Sequence, residues 1–168
     1  MRLRRIQDVL EQGIDLKRRV IEELRPTLLD NMGLVAALRW QLDETCGRAG
    51  LKCEGHFPAE EPDIDPRTSI ALFRVVQEAL TNVQKHATGA KRVDVTLEML
   101  STHVLLVVSD DGAGIAPAAI GKPQSRGLAG MKHRIGAVGG TLRIGRSNDG
   151  GAEITALVPH RSRSANAA

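Results

Sequence analysis

The chain has 168 residues and a formal net charge of +3 at pH 7, enough for one domain with its own hydrophobic core plus an appendage. One tryptophan, two phenylalanines and no tyrosine leave no aromatic stacking platform for single-stranded nucleic acid, so we expect no direct nucleic acid binding. The basic residues form short scattered clusters, a pattern typical of solvated faces. No apolar run approaches membrane-spanning length, and Met1 is not followed by the apolar core of a signal peptide.

The two cysteines, Cys46 and Cys53, lack the CxxC spacing of zinc sites and redox motifs. We therefore expect two isolated thiols, with neither a zinc site nor a disulfide. Free thiols fit a reducing compartment, and the expected location is the cytoplasm. The chain also fits the cytoplasmic portion of a longer, membrane-bound sensor, attached to the membrane only through parts that this sequence does not include.

Residues 1–49 are expected to form a long amphipathic helix that Pro26 breaks or kinks. Its apolar stripe before the proline consists of Ile6, Leu10, Ile14, Ile21 and Leu24. The apolar spacing resumes after Pro26 and continues to Leu42. Such a stripe needs a partner surface. We favour one arm of a dimer-forming helical hairpin, and the alternative is a helix folded onto its own domain.

The middle of the chain predicts a strand, a loop, a long helix and a second strand. Gly50 ends the first segment, and residues 51–57 alternate as a strand does. A proline-rich and acidic loop leads to Asp65, the predicted N-cap of a helix over 66–86. Apolar and polar residues then alternate over 93–99, which predicts a half-buried strand.

The predicted helix over 66–86 carries two different faces. Apolar residues recur at helical spacing and form one face, while Glu78, Asn82 and His86 recur at every fourth position and form a polar stripe. A carboxylate, a carboxamide and an imidazole in line are typical of a site wall. A solvated face explains the same stripe, so the helix alone leaves both interpretations open.

Two glycine-bearing loops follow. The strand over 104–108 ends in Ser109-Asp-Asp-Gly-Ala-Gly, which brings a carboxylate to the edge of a pocket and lets the backbone approach a ligand closely. Residues 116–126 lack a clear period and are expected to form a lid. Gly127-Leu-Ala-Gly-Met131 then opens a helix whose exposed N–H groups suit a phosphate. A hairpin turning at 148–151 completes the predicted elements.

These motifs, in this order, resemble the ATP-binding domain of sensor histidine kinases, in the superfamily that includes gyrase, the Hsp90 chaperones and the mismatch-repair ATPases. Residues 77–82 with 85–87 are similar to the N box, residues 110–114 to the G1 box, and residues 127–131 to a shortened G2 box. Leu24-Arg-Pro with residues 29–34 resembles the subfamily whose response regulators carry a helix-turn-helix output domain. In that subfamily this segment is the second helix of the dimerisation and phosphotransfer hairpin.

The resemblance implies an α+β fold. This is a two-layer α/β sandwich of the Bergerat type, in which helices cover one face of a mixed sheet, with a long helix at the N-terminus. It also implies three parts: the second hairpin helix at 1–49, the ATP-binding catalytic domain at 50–159 and a disordered tail at 160–168.

The resemblance further implies ATP and Mg²⁺ as cofactors. Asp110 would accept a hydrogen bond from the adenine amino group, and Asn82 would coordinate Mg²⁺. Glu78 would orient or deprotonate the attacking group, or hold a magnesium-bound water, with Lys85 and His86 near the phosphates. The implied catalytic residues are thus Glu78, Lys85 and His86. The implied nucleotide-binding residues are Asn82, Asp110, Gly112, Gly114, Ile115, Gly127, Leu128, Ala129, Gly130 and Met131.

One departure from the family pattern concerns the phosphate acceptor, which in the family is a histidine followed by an acid. His56, His86, His103, His133 and His160 are each followed by another residue type. We therefore expect the acceptor helix to be missing from this chain, which would bind ATP without phosphorylating itself at the family site. A homodimer through the N-terminal helix and a cognate response regulator are the implied partners. The alternatives are an anti-sigma-type serine kinase and a non-catalytic regulator that binds ATP.

Overall fold

The computed structural model describes residues 29, 31–114 and 126–160. The helices and strands in chain order are α1 (31–49), β1 (Lys52–His56), α2 (Pro66–His86), β2 (Arg92–Met99), β3 (His103–Asp110), α3 (Arg126–Ala137), β4 (Thr141–Arg146) and β5 (Ala152–Pro159). Apart from Leu29, the predicted helical segment before Asn31 lies outside the described residues, as do the predicted lid up to Ser125 and residues 161–168.

The strands form one five-stranded sheet in the order β1-β2-β3-β5-β4. The β1–β2 pair is parallel, because α2 connects the two strands, and the other pairs are antiparallel. Buried and half-exposed side chains alternate along β3 and β5, which therefore bury one face of the sheet. The predicted α+β fold with a mixed sheet is confirmed.

The buried face of the sheet packs against the helices in a single core. Val95, Leu106 and Ala156 from the sheet join Leu72 and Val76 of α2 in this cluster, and all are at least 98% buried. Burying each of the valine and leucine side chains contributes about 1.5–3 kcal/mol to folding. The sheet therefore fixes the position of α2 and of the polar residues along it.

Helix α1 belongs to the same core. Leu34, Leu38 and Leu42 are buried together with residues of α2 and the sheet. For this part of the N-terminal segment, the alternative of a helix folded onto its own domain is therefore correct. The stripe from Ile6 to Leu24, for which a dimer arm was favoured, lies outside the described residues.

The path of α1 changes at Gly33, whose φ of +81° lies in the left-handed region that favours glycine. The backbone N–H groups of Leu34 and Val35 donate to the carboxylate of Glu61. A Cβ at Gly33 would lie 2.7 Å from Oε2 of that carboxylate. The acidic loop before α2 therefore caps a helix that is remote from it in sequence.

The predicted state of the two cysteines is wrong, because Cys46 and Cys53 form a disulfide with a Cα–Cα distance of 6.1 Å. Cys46 lies near the end of α1 and Cys53 in β1, and the turn between them passes through Gly50 at φ +66°. The left-handed glycine reverses the chain so that the end of the helix lies beside the strand. The spacing of the cysteines in sequence does not reveal this reversal.

Asp65 is the N-cap of α2, as predicted. Its carboxylate accepts hydrogen bonds from the backbone N–H groups of Arg67 and Thr68, both at 3.0 Å, and from the Thr68 hydroxyl at 2.6 Å. These bonds, that from the Thr68 side chain first, hold the pKa of Asp65 below its ordinary value. The cap fixes where α2 begins and so the positions of the polar side chains further along it.

Candidate functional site

The candidate site is built on the polar stripe of α2. Glu78 and Asn82 are half-buried on successive turns, while Lys85 and His86 in the last turn are exposed. The residues between them, including Ala79 and Val83, are buried in the core. The stripe therefore begins inside the fold and ends in solvent, which is the gradient expected of a pocket wall.

The first turn of α3 covers the carboxylate of Glu78. A Cβ at Gly127 would overlap Oε1 of Glu78 and would lie 2.9 Å from its Cδ. Glycine at this position therefore allows the Glu78 carboxylate to lie against the start of α3, because a side chain there would displace it. The N-terminal N–H groups of α3, which lack helical acceptors, are thereby brought next to a carboxylate of the site.

Asn82 carries a buried donor for which the described residues provide no partner. Its Nδ2 is shielded from solvent, and no hydrogen-bond acceptor is found for it among the described residues. A buried amide without a hydrogen bond costs about 1–3 kcal/mol, so such a group is retained where a ligand satisfies it. This orphan donor is the clearest local sign that the polar stripe lines a binding site rather than a solvated face.

Asp110, at the end of β3, is only 7% exposed. Its Oδ1 accepts the N–H of Gly112 at 2.8 Å, and its backbone oxygen accepts the Ser147 hydroxyl at 2.7 Å. Gly151 packs against it so tightly that a Cβ there would overlap both of these oxygens. The carboxylate is therefore fixed in a buried position with no lysine, arginine or histidine as an ion-pair partner among the described residues.

Sequence reasoning missed the roles of Ser147 and Gly151. Both lie at the β4–β5 hairpin, which reads in the sequence as a connection and nothing more. A hairpin turn of this kind needs one glycine, and the sequence has two in a row at 150–151. The second glycine is the one feature of the sequence that could have indicated a close contact here. In the fold, β5 pairs with β3, and this pairing brings the turn to the end of β3 that carries Asp110.

The glycines of the 110–114 loop each satisfy a steric demand. A Cβ at Gly112 would lie 2.9 Å from Cβ of Ala87 and 3.0 Å from Oδ1 of Asp110. Gly114 has a φ of +76°, and a Cβ there would lie 3.1 Å from the Gly151 oxygen. The loop is therefore held between the end of α2 and the β4–β5 hairpin, and it brings the two predicted motifs together.

The neighbouring acid, Asp111, has a structural task. Its Oδ1 accepts the backbone N–H groups of Lys91 at 2.7 Å and Arg92 at 2.9 Å. These bonds, that from Arg92 first, hold the pKa of the Asp111 carboxyl below its usual value. The two consecutive acids thus have different roles: Asp111 fixes the start of β2, and Asp110 is the buried carboxylate of the candidate site.

The other predicted binding residues lie on α3, except Ile115, which is outside the described residues. Ala129 is exposed and Leu128 half-buried, whereas Met131 is fully buried in the core. The Met131 side chain therefore packs the fold, and only its backbone is close to the first turn of the helix. His133 is exposed.

Two side chains on α2 carry oxygen atoms of the kind that bind Mg²⁺. Glu78 and Asn82 offer a carboxylate and a carboxamide oxygen one turn apart on α2, and this is the ligand chemistry that Mg²⁺ prefers. A second group of potential ligands, Glu54, His56 and Asp94, lies away from the pocket, with its ligand atoms within 4.8 Å of one another. Ion pairs with Lys52 and Arg92 already engage its carboxylates.

A family profile described as "Histidine kinase-, DNA gyrase B-, and HSP90-like ATPase" matches residues 67–162. The chain is 34% identical over 150 residues to the histidine-protein kinase/phosphatase UhpB of Salmonella typhimurium, covering 88% of this chain and 29% of the relative. It is 33% identical over 156 residues to the oxygen sensor histidine kinase NreB of Staphylococcus carnosus, covering 93% and 45%. The chain thus spans less than half the length of either relative.

Solved structures share the fold. The blue-light activated histidine kinase of Erythrobacter litoralis EL346 has a TM-score of 0.72 at 21% identity, covering 92% of this chain and 51% of its own. The mycobacterial sensor histidine kinase MprB has a TM-score of 0.57 at 26% identity, covering 74% and 94%. In the part of the chain that the structure describes, no helix is long and apolar enough to cross a membrane.

Proposed function

Because this chain belongs to the histidine kinase-, DNA gyrase B- and HSP90-like ATPase family, we propose that it is the ATP-binding catalytic region of a two-component sensor histidine kinase. The observation that carries this proposal is a pair of close contacts between the motifs: Gly127 of α3 packs against Glu78 of α2, and Gly112, beside Asp110, packs against Ala87 at the end of α2. Glu78 and Asn82 come from α2, Asp110 from the end of β3 and Gly127 from α3. These residues of α2, β3 and α3 belong to the N box, the G1 box and the G2 box of the family pattern, respectively.

Asp110 recognises the adenine base in this proposal. One of its oxygens is bonded to the N–H of Gly112, which leaves the other to accept a hydrogen bond from the exocyclic amino group. The carboxylate is buried and held from two sides, so its position is set before the base arrives. Gly112 and Gly114 let the loop pack tightly beside Asp110, and this packing holds the carboxylate in place.

Asn82 and Glu78 would hold the magnesium ion and the reacting end of the nucleotide. When bound, Mg²⁺ would neutralise charge on the phosphate oxygens. The carboxamide oxygen of Asn82 would be its ligand, while the orphan Nδ2 would donate to a phosphate oxygen. Glu78 would orient the acceptor imidazole and take its proton. The phosphate–ADP oxygen bond breaks as the phosphorus–nitrogen bond forms, and ADP leaves.

Lys85 and His86 contribute positive charge at the mouth of the site. Both are exposed in the last turn of α2, where basic side chains interact favourably with the helix dipole. Their role would be to attract the anionic nucleotide. Mobile cations at the rim contribute to the association rate more than to chemistry, so we expect their replacement to raise KM more than it lowers kcat.

The proposal extends to the partners and location of the intact protein. The acceptor histidine would be supplied by a dimerisation and phosphotransfer hairpin in a homodimer. The phosphate would pass on to a response regulator, for which the resemblance favours one with a helix-turn-helix output domain. The proposed location is the cytoplasm, as part of a sensor whose other segments set any membrane attachment.

The test is phosphoryl transfer from labelled ATP to an acceptor-helix hairpin supplied in trans, in the presence of Mg²⁺. We expect an acid-labile phosphohistidine on the hairpin, and loss of the label with Asp110→Asn. Asp149→Asn, which alters an exposed acid in the β4–β5 turn, is the matched control and should leave transfer unchanged. ATP binding without transfer to the hairpin would support a non-catalytic regulator. An acid-stable label on a protein partner would support a serine kinase.

A further inference from the structure

Arg134 of α3 carries a buried Nε that has no hydrogen-bond partner in the part of the chain that the structure describes. Its side chain is half-buried, and its Nε is shielded from solvent without an acceptor among the described residues. No described carboxylate forms an ion pair with it. Arginine remains charged at any physiological pH, so this is an uncompensated cation held partly away from water. Such a cation is costly unless an anion joins it.

The surrounding sequence does not provide that anion. The segment 115–125, which precedes α3, contains no aspartate or glutamate, and it adds a further cation at Lys122. The helix itself has no acidic residue in its first turn, and none occurs elsewhere between Arg126 and Ala137. The local chain is therefore basic throughout.

The position of the guanidinium places it toward the start of α3. A Cβ at Gly130 would lie 3.2 Å from Nη1 and 3.4 Å from Nη2 of Arg134, so the side chain lies back along the helix by one turn. Gly127, Gly130 and Arg134 are spaced to share one face of the helix. Gly127 on that face contacts Glu78, which brings the arginine to the same side of α3 as the candidate pocket.

We propose that Arg134 is a ligand for the phosphate chain of the bound nucleotide, supplying a positive side chain beside the N–H groups that open α3. This inference rests on the proposed ATP-binding function and adds a binding residue to it. A guanidinium binds phosphate oxygens through paired N–H donors. Gly130 keeps the space for that side chain, because a Cβ there would make close contact with Nη1 and Nη2 and shift the guanidinium.

The test measures displacement of a fluorescent nucleotide by ATP and by adenosine, with Arg134→Gln and the wild type. We expect the variant to bind ATP about tenfold or more weakly, the loss typical of one charge-assisted interaction, and to bind adenosine as the wild type does. Arg143→Gln is the matched control. It removes the same charge from an exposed position on β4 and should leave both affinities unchanged.

Gly130→Ala provides a second, independent variant. Alanine favours the helix, so the melting temperature should not fall, yet the added methyl should displace the guanidinium and weaken ATP binding. In the double variant with Arg134→Gln the two losses should not add, since both remove the same contact.

The outcomes separate the inference from the function on which it rests. Unchanged ATP affinity in Arg134→Gln, with a wild type that binds ATP, would overturn the role of Arg134 alone. Equal losses for ATP and adenosine would also overturn it, because they indicate a structural effect. A wild type that binds no ATP would overturn both proposals.

Discussion

The carboxylate of Glu78 lies against the backbone of Gly127, at the point where a β-carbon would overlap Oε1. This contact joins the middle of α2 to the first turn of α3 across a long separation in sequence. It places the Glu78 carboxylate, which can accept a proton, beside the N–H groups of the first turn of α3, which can bind phosphate. The chemistry of the proposed site therefore depends on how closely the two helices approach.

Gly127→Ala should reduce phosphoryl transfer to a supplied hairpin by about tenfold or more, because the new methyl forces the Glu78 carboxylate out of its position. Stability should be nearly unchanged, since alanine is the better helix former. Gly136→Ala is the matched control, as it adds the same methyl to α3 where no atom lies within 4 Å. Equal activity of the two variants would contradict a role for the Glu78–Gly127 contact.

Much of this arrangement follows from local patterns in the sequence. The N-cap at Asp65 and the polar stripe on α2 depend on residues close in sequence, and both lie where they were predicted. The support of Asp110 by Ser147 and Gly151 could not be predicted, because it requires the pairing of β3 with β5. The same holds for Glu61, whose capping of α1 depends on packing rather than on spacing.

The disulfide is the largest difference between expectation and structure. It arises because a left-handed turn at Gly50 returns the chain beside α1, and the two cysteines carry no motif that reports this. A disulfide is also unusual in the cytoplasm, which is the location proposed for this chain. Whether Cys46 and Cys53 are bonded or free in protein taken directly from cells therefore indicates whether its compartment is oxidising or reducing.

Asn82→Ala should separate function from stability. The change removes a buried donor that has no partner in the described structure, so the melting temperature should stay the same or rise. Use of Mg-ATP should fall by about a hundredfold if the carboxamide holds the metal, since both the ligand and the phosphate donor are lost. Thermal unfolding and transfer assays on one preparation measure the two effects. A fall of several degrees with activity retained would show that Asn82 is structural.

Reduction of the Cys46–Cys53 bond should lower the free energy of unfolding by about 2–3 kcal/mol, since a short closed loop constrains the unfolded chain. Thiol titration in denaturant should find no free thiol before treatment with a reductant and two afterwards. Urea unfolding of the oxidised and reduced protein measures the difference. The Cys46→Ser, Cys53→Ser double variant should behave like the reduced form and should not respond to reductant. Two titratable thiols in the untreated protein would contradict the bond.

Asp65→Ala should destabilise the protein by about 1 kcal/mol at pH 7, because two backbone N–H groups at the start of α2 lose their acceptor. The pKa of Asp65 is lower in the folded state than its unfolded value of about 3.9. Its contribution is therefore complete above that value and is lost as the pH falls through the folded pKa. Urea unfolding of both proteins should show a full difference in the free energy of unfolding at pH 7 and a much smaller one at about pH 2.

Asp63→Ala replaces an exposed acid in the same loop and controls for general charge effects. It should match the wild type at both pH values. A difference for Asp65→Ala that stays constant with pH would show that the carboxylate charge does not stabilise the helix.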